Sequence, residues 1–157
     1  MRNILIVGAG KSSPYLIKYL LDKSQEQNLY LNITDVTIDH LLHHKKNNRC
    51  NVSTINILDD KEREGYLLKN DIIISMLPAR LHIILANSCL KLKKNLITAS
   101  YVSDEMRSIN RSVKDRNLIF LNEMGLDPGI DHMSAKKIID KLKENNCSIY
   151  SFKSYTG

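Results

Sequence analysis

The stretch NILIVGAGKSSPYLIKYLL, Asn3–Leu21, sets the fold. Asn3–Val7 is a continuous apolar, β-branched run, the pattern of a strand buried on both faces. Pro14–Leu21 (PYLIKYLL) places apolar residues at helical intervals. Pro14 suits a first helical turn, where its missing N–H would be unbonded anyway. Between them lies GAGKSS, Gly8–Ser13. In such a strand-to-helix turn, Gly8 permits the bend and Gly10 lets the backbone approach a pyrophosphate. The helix beyond, reached through Lys11 and Ser12, offers free N–H groups and a positive dipole end to that anion. The third glycine of the G-x-G-x-x-G pattern is replaced by Ser13, small enough for close helix–strand packing. Ser13 or Ser12 can also cap the helix. A ligand-free turn would look similar, but the strand before and the helix after are the context that favours a dinucleotide.

Outward from this stretch the chain alternates. Strands are expected at Leu29–Thr34, Val52–Ile57, Asp71–Met76, Asn95–Ala99, Leu118–Leu121 and Ile149–Tyr155. Helices are expected at Ile38–Lys46, Lys61–Leu68, Leu81–Lys93, Asp104–Lys114 and Met133–Lys143. Strands alternating with helices give an α/β fold, a Rossmann-type doubly wound parallel sheet with helices on both faces. The gaps are short, and no repeat or low-complexity linker interrupts them.

Composition narrows the function. The chain has 157 residues, the size of one domain, and a hydrophobic share of 43%. No apolar stretch approaches the roughly 20 residues that span a bilayer, and the N-terminus lacks a signal-peptide pattern. The three cysteines are widely spaced and unpaired in pattern, as in reduced thiols of a cytoplasmic protein. The net charge of +6 comes from scattered basic residues, with two phenylalanines and no tryptophan to form a stacking platform. The expectation is therefore a small-molecule partner, no nucleic acid and no membrane. The five histidines show no metal-ligand spacing, so no metal is expected.

In an open α/β sheet, ligands bind beyond the carboxyl ends of the strands. Those ends carry Gly8–Ser13, Asp35, Ile57–Asp59, Ser75–Pro78, Ser100–Tyr101 and Asn122–Asp131. Asp35 lies near the place of a ribose-binding acid, expected about 20 residues past the glycines. There it would accept from ribose hydroxyls and repel a 2′-phosphate, favouring NAD over NADP; it can equally cap the next helix. Ser75, Met76 and Leu77 would pass near the nicotinamide half. Ser100 and Tyr101 can donate to a substrate carboxylate. Asp127 and Asp131 can meet a substrate ammonium, or Asp131 can cap the last helix.

The segments ILIVGAGKSS, DIIISMLPARLH, LITASYVSDEM and above all NEMGLDPGIDHMSA resemble the saccharopine dehydrogenase family, in its L-glutamate-forming branch. The resemblance runs in order along the chain, and GLDPGIDH is its specific part. It implies enzymes that interconvert saccharopine with L-glutamate and 2-aminoadipate 6-semialdehyde, using NAD or NADP. The chemistry is hydride transfer at the carbon of an imine. By matching motif it places Ser100, Tyr101 and Asp127 near saccharopine and the cofactor, and names no catalytic acid or base. Many members carry a basic residue where Asp35 stands, and prefer NADP. The family continues past SFKSYTG into a substrate and dimerisation domain. The expected organisation is thus a dinucleotide-binding domain over 1–148. Residues 149–157 would start a connection into a domain that is absent. Such a chain is expected to bind dinucleotide without turning over saccharopine, and to form a homodimer only with the further domain. The alternatives are a carboxynorspermidine-type reductase and a nucleotide-sensing Rossmann module, the latter disfavoured by GLDPGIDH.

Overall fold

The computed structural model describes residues 1–155. Its strands are β1 (Arg2–Val7), β2 (Leu29–Asp35), β3 (Cys50–Thr54), β4 (Ile72–Ser75), β5 (Asn95–Thr98) and β6 (Phe120–Leu121). Its α-helices are α1 (Pro14–Lys23), α2 (Asp60–Leu68), α3 (Ala79–Leu92), α4 (Asp104–Ser108), α5 (Asn110–Asp115) and α6 (Ile130–Glu144). The strands form one six-stranded sheet in the order β3-β2-β1-β4-β5-β6, and every pairing is parallel.

The run that decided the fold divides between two cores. Ile4 and Ile6 pack with Ile17, Leu31, Ile33 and Leu41. Leu5 and Val7 pack with Leu67, Ile73, Leu85 and Leu96. Alternate residues of a strand point to opposite faces, so an unbroken apolar run is what a two-sided sheet requires. The strand order reverses between β1 and β4, where Val7 lies opposite Ser75. A crevice at that reversal is where doubly wound sheets take ligands.

Four expectations need correction. Ile38–Lys46 forms a 3-10 helix over Asp39–Lys46, not an α-helix. The third strand is Cys50–Thr54 rather than Val52–Ile57; Ile55 and Ile57 are buried for the core without continuing the ladder. The helix expected over Asp104–Lys114 is two helices, meeting at Ile109. Ile149–Tyr155 is not a strand, because a period-2 pattern makes a strand only with a ladder partner, and none of the described residues pairs with it. No helix among the described residues is long and apolar enough to cross a membrane.

Candidate dinucleotide and substrate site

The glycine turn is held from three sides. Gly8 has φ +91°, and its N–H donates to Thr34 C=O at 2.9 Å. A Cβ on Gly8 would lie 2.9 Å from both the carbonyl carbon and oxygen of Met76, so β4's end closes the turn against backbone. Position 10 is the reverse: a Cβ there would meet nothing within 4 Å. The turn is therefore closed toward the sheet and open toward solvent, as a cradle for a pyrophosphate must be. Ser13 is buried at the start of α1, but its hydroxyl donates to Gly10 C=O at 2.8 Å. Ser13 occupies the N-cap of α1 but its side chain makes no capping bond, which leaves the first N–H groups of the helix free. Lys11 and Ser12 are exposed on the open side.

Asp35 does more for the chain than either sequence reading gave it. Its Oδ2 accepts from Ala9 N–H and its Oδ1 from Val36 N–H, both at 2.6 Å. The carboxylate thus fixes the turn, and it caps no helix. His40 donates from Nε2 to Ala9 C=O at 2.8 Å, adding a second hold on the same residue. Beside the turn lies a cavity of about 600 Å³ lined by Lys11, Lys18, His40, His43 and His44 over an apolar floor that includes Ile17 and Leu41.

Beyond β4 and β5 the polar groups are paired with one another. Ser75 Oγ lies 2.7 Å from His82 Nδ1, and His82 Nε2 lies 2.9 Å from Ser100 Oγ. Burial lowers the His82 pKa, which keeps the ring neutral. Ser75, expected at the cofactor, is thus fully buried and occupied by His82. Ile57, also expected there, puts its side chain in the core, while its carbonyl accepts from Arg63 Nη1 at 2.6 Å. Met76 and Leu77 contribute backbone against Gly8. A second cavity, of about 280 Å³, opens beside this network and is lined by Arg80, His82, Thr98, Tyr101, Glu105 and Asn122.

The loop NEMGLDPGIDH is tied to the end of β5. Met124 N–H donates to Thr98 C=O at 3.0 Å, and Glu123 N–H to Ser100 C=O at 3.2 Å. Gly129 has φ +145°, and a Cβ there would lie 2.2 Å from Gly125 O, so the loop closes on itself only with glycine. Tyr101 donates its phenol to Asp127 Oδ1 at 2.5 Å. That hydrogen bond, with the charges of Asp127, Asp131 and Glu123, pushes the Tyr101 pKa up to about 12. Asp131 does not occupy the N-cap, which is Gly129; its Oδ1 accepts from Gly129 N–H at 3.0 Å and from His132 Nδ1 at 2.7 Å. One oxygen or nitrogen of each of Asp127, Asp131 and His132 lies within 4.8 Å of the others, and the Asp131–His132 hydrogen bond accounts for one of the three approaches.

Residues 4–121 match the family described as Saccharopine dehydrogenase NADP binding domain. The chain belongs to the saccharopine dehydrogenase family. Alpha-aminoadipic semialdehyde synthase, mitochondrial, of Rattus norvegicus is 31% identical over 159 residues, covering 99% of this chain and 17% of that protein. The saccharopine dehydrogenase (NADP(+), L-glutamate-forming) of Saccharomyces cerevisiae is 28% identical over 156 residues, covering 99% of this chain and 34% of that protein. The solved structure of the yeast saccharopine dehydrogenase (L-Glu forming) superposes with TM-score 0.80 at 26% identity, over 93% of this chain and 32% of that one. The chain thus spans about a third or less of the length of these relatives. The fold extends further: scyllo-inositol dehydrogenase of Lactobacillus casei superposes with TM-score 0.63 at 18% identity.

For this saccharopine dehydrogenase-family chain, sequence reading placed the turn, Asp35, Ser100, Tyr101 and Asp127 at one edge, and the structure brings them there. It missed His82, which stands seven residues past Ser75 in the first turn of α3. The available signal was a histidine at the fourth position of the helix that follows a strand end. It also missed the Thr98–Asn122 pair, joined at 2.8 Å, for which the sequence carries no signal.

Proposed function

We propose that this chain binds NADP(H) as the dinucleotide-binding unit, residues 1–148, of an oxidoreductase that interconverts saccharopine with L-glutamate and 2-aminoadipate 6-semialdehyde. The observation that carries the reading is the cradle at the β1/β4 reversal: Gly8 closed against Met76, position 10 open, and an uncapped α1 beyond. Tyr101 and Asp127 at the same edge support an amino-acid substrate beside it.

Two features support NADP over the NAD that Asp35 alone suggests. Both Asp35 oxygens already accept backbone N–H groups, so the carboxylate serves the turn. The adjoining cavity is bordered by Lys11 and His43, donors that a 2′-phosphate can meet, while Lys18 is paired with Asp22 and His40 Nε2 with Ala9.

Bound there, the cofactor gives or takes the hydride. The chain's own residues hold and orient. The α1 N-terminus would hold the pyrophosphate, and the Met76–Leu77 backbone walls the crevice. Tyr101, whose pKa is raised to about 12, keeps its one phenolic proton hydrogen-bonded to Asp127 and so fixes that carboxylate in place. Asp127 leaves its other oxygen for a substrate ammonium.

A fluorescence titration of the chain with NADPH and, separately, NADH tests the reading. The expected result is NADPH binding at least about tenfold tighter, roughly 1.4 kcal/mol, with no saccharopine oxidation by this chain alone. Binding of neither dinucleotide sinks the reading; tighter NADH would restore Asp35 as the ribose acid.

A further inference from the structure

His82 is 3% exposed, yet both ring nitrogens are engaged, one by each serine. Ser75 is fully buried, and among the described residues its hydroxyl has no hydrogen-bond partner besides His82 Nδ1. A neutral imidazole carries one N–H, so the two nitrogens play opposite parts. With the proton on Nδ1, the Ser75 O–H would be buried without an acceptor, and Nε2 would absorb the Ser100 proton. With the proton on Nε2, Ser75 donates to Nδ1, Nε2–H donates to Ser100 Oγ, and every group is satisfied. Buried polar groups are paired, which selects the second arrangement. Its consequence falls on Ser100. The oxygen accepts from His82, so the Ser100 O–H is left to donate elsewhere. Ser100's backbone is fixed as well, because its carbonyl accepts from Glu123 N–H at the start of the GLDPGIDH loop. Ser100 is half-buried at the carboxyl edge of the sheet, next to Tyr101.

We propose that His82 is a positioning residue: as the Nε2–H tautomer it turns the Ser100 hydroxyl into a fixed outward donor for an acceptor oxygen of the bound ligand. That oxygen is a carboxamide of the cofactor or a carboxylate of the amino acid. The second half of this statement rests on the proposed function; the tautomer does not.

The test has two arms. Long-range proton–nitrogen NMR of the full chain, labelled at histidine nitrogen, reads the His82 tautomer at pH 7, with His82→Gln supplying the assignment. The expected result is a protonated Nε2 and a bare Nδ1. In Ser75→Ala, Nδ1 loses its partner in either tautomer, so the preference for Nε2–H should weaken toward a mixture of the two. An Nδ1–H tautomer or an imidazolium in the wild-type chain overturns the proposal, whether or not any dinucleotide binds.

The second arm compares His82→Gln with His82→Leu in NADPH titrations, without and with saccharopine. Glutamine carries an acceptor and a donor on one planar group and can replace both bonds; leucine replaces neither. His82→Leu should weaken binding by about tenfold, the scale of one oriented hydrogen bond, and His82→Gln should stay within about threefold. A loss with NADPH alone places the acceptor oxygen on the cofactor, and a loss only with saccharopine present places it on the amino acid. Equal losses in both variants would make His82 merely structural. No loss in either would remove it from the site. In both cases the proposal fails. If the wild-type chain binds neither dinucleotide, the proposed function fails and the tautomer arm alone decides.

Discussion

The β1–β2 side of the sheet and the loop-and-helix segment beyond β6 are held by different forces. On one side, β1 and β2 pair from Arg2–Leu29 through Val7–Thr34, over a core of Ile4, Ile6, Ile17, Leu31 and Ile33. On the other, β5 and β6 share only Leu96–Phe120 and Ile97–Leu121, and α6 has no buried residue. Leu96 and Phe120 still reach the second core, but the loop beyond β6 is tied down by hydrogen bonding: Met124 to Thr98, Glu123 to Ser100, Thr98 to Asn122 and Tyr101 to Asp127. Apolar burial is strong and needs no exact partner, whereas a net hydrogen bond contributes only about 1 kcal/mol. The dinucleotide side is therefore specified by the chain's own core. The loop side is specified by polar contacts whose geometry matters more than their sum.

The largest expected break in this comparison is in the core. Ile6→Ala, at a fully buried β1 position of that core, should destabilise by about 3–4 kcal/mol. Ile138→Ala on α6, where the side chain is 61% exposed, should change stability by less than about 0.5 kcal/mol. Urea unfolding of both variants checks the contrast, and equal losses would erase it.

Gly8→Ala comes next. The new methyl would sit 2.9 Å from Met76 backbone at φ +91°, and neither wall is a flexible side chain. A loss of about 2–3 kcal/mol is expected from the left-handed backbone and overpacking together, with loss of NADPH binding. Urea unfolding and a binding titration read the two effects separately.

On the loop side the effects are on titration. The Tyr101 phenol should resist ionisation up to about 12. Asp127→Ala removes the hydrogen bond that is the largest cause, and should return it toward the usual value of about 10. NMR of tyrosine labelled at the phenolic carbon reads the shift, and an unmoved phenol would deny the contact.

The smallest effect is at His132. Its pKa is raised by the hydrogen bond and charge of Asp131. A raised pKa stabilises the folded chain at low pH. The contribution is full below the ordinary histidine value of 6.5 and is lost as pH rises through the folded one. Because the pair is exposed, a melting-temperature series from pH 5 to 9 should show only a slight decline that His132→Gln abolishes.

The same division governs what was legible in the sequence. Burial on two faces writes an unbroken apolar run, so NILIV and DIIIS announced β1 and β4, and Gly8 announced the turn. Strand ends set by hydrogen bonds were misplaced. Ile55 and Ile57 read as strand because they are buried, yet they serve the core after the ladder has ended. β6 begins late because Asn95 Oδ1 takes the Ile119 N–H at 2.9 Å. Asp35 was found, but its use was not: a side chain folding back to a loop amide 26 residues away leaves no local pattern. His82 escaped for the same reason, since its partners lie at two different strand ends.

The central claim, that the apolar-cored side of this chain is a working cofactor site in itself, is tested most directly by amide hydrogen exchange with and without NADPH. Added protection is expected at Gly8–Ser13 and around Asp35–His40, with α6 unchanged. Protection confined to α6, or none anywhere at saturating cofactor, would contradict it.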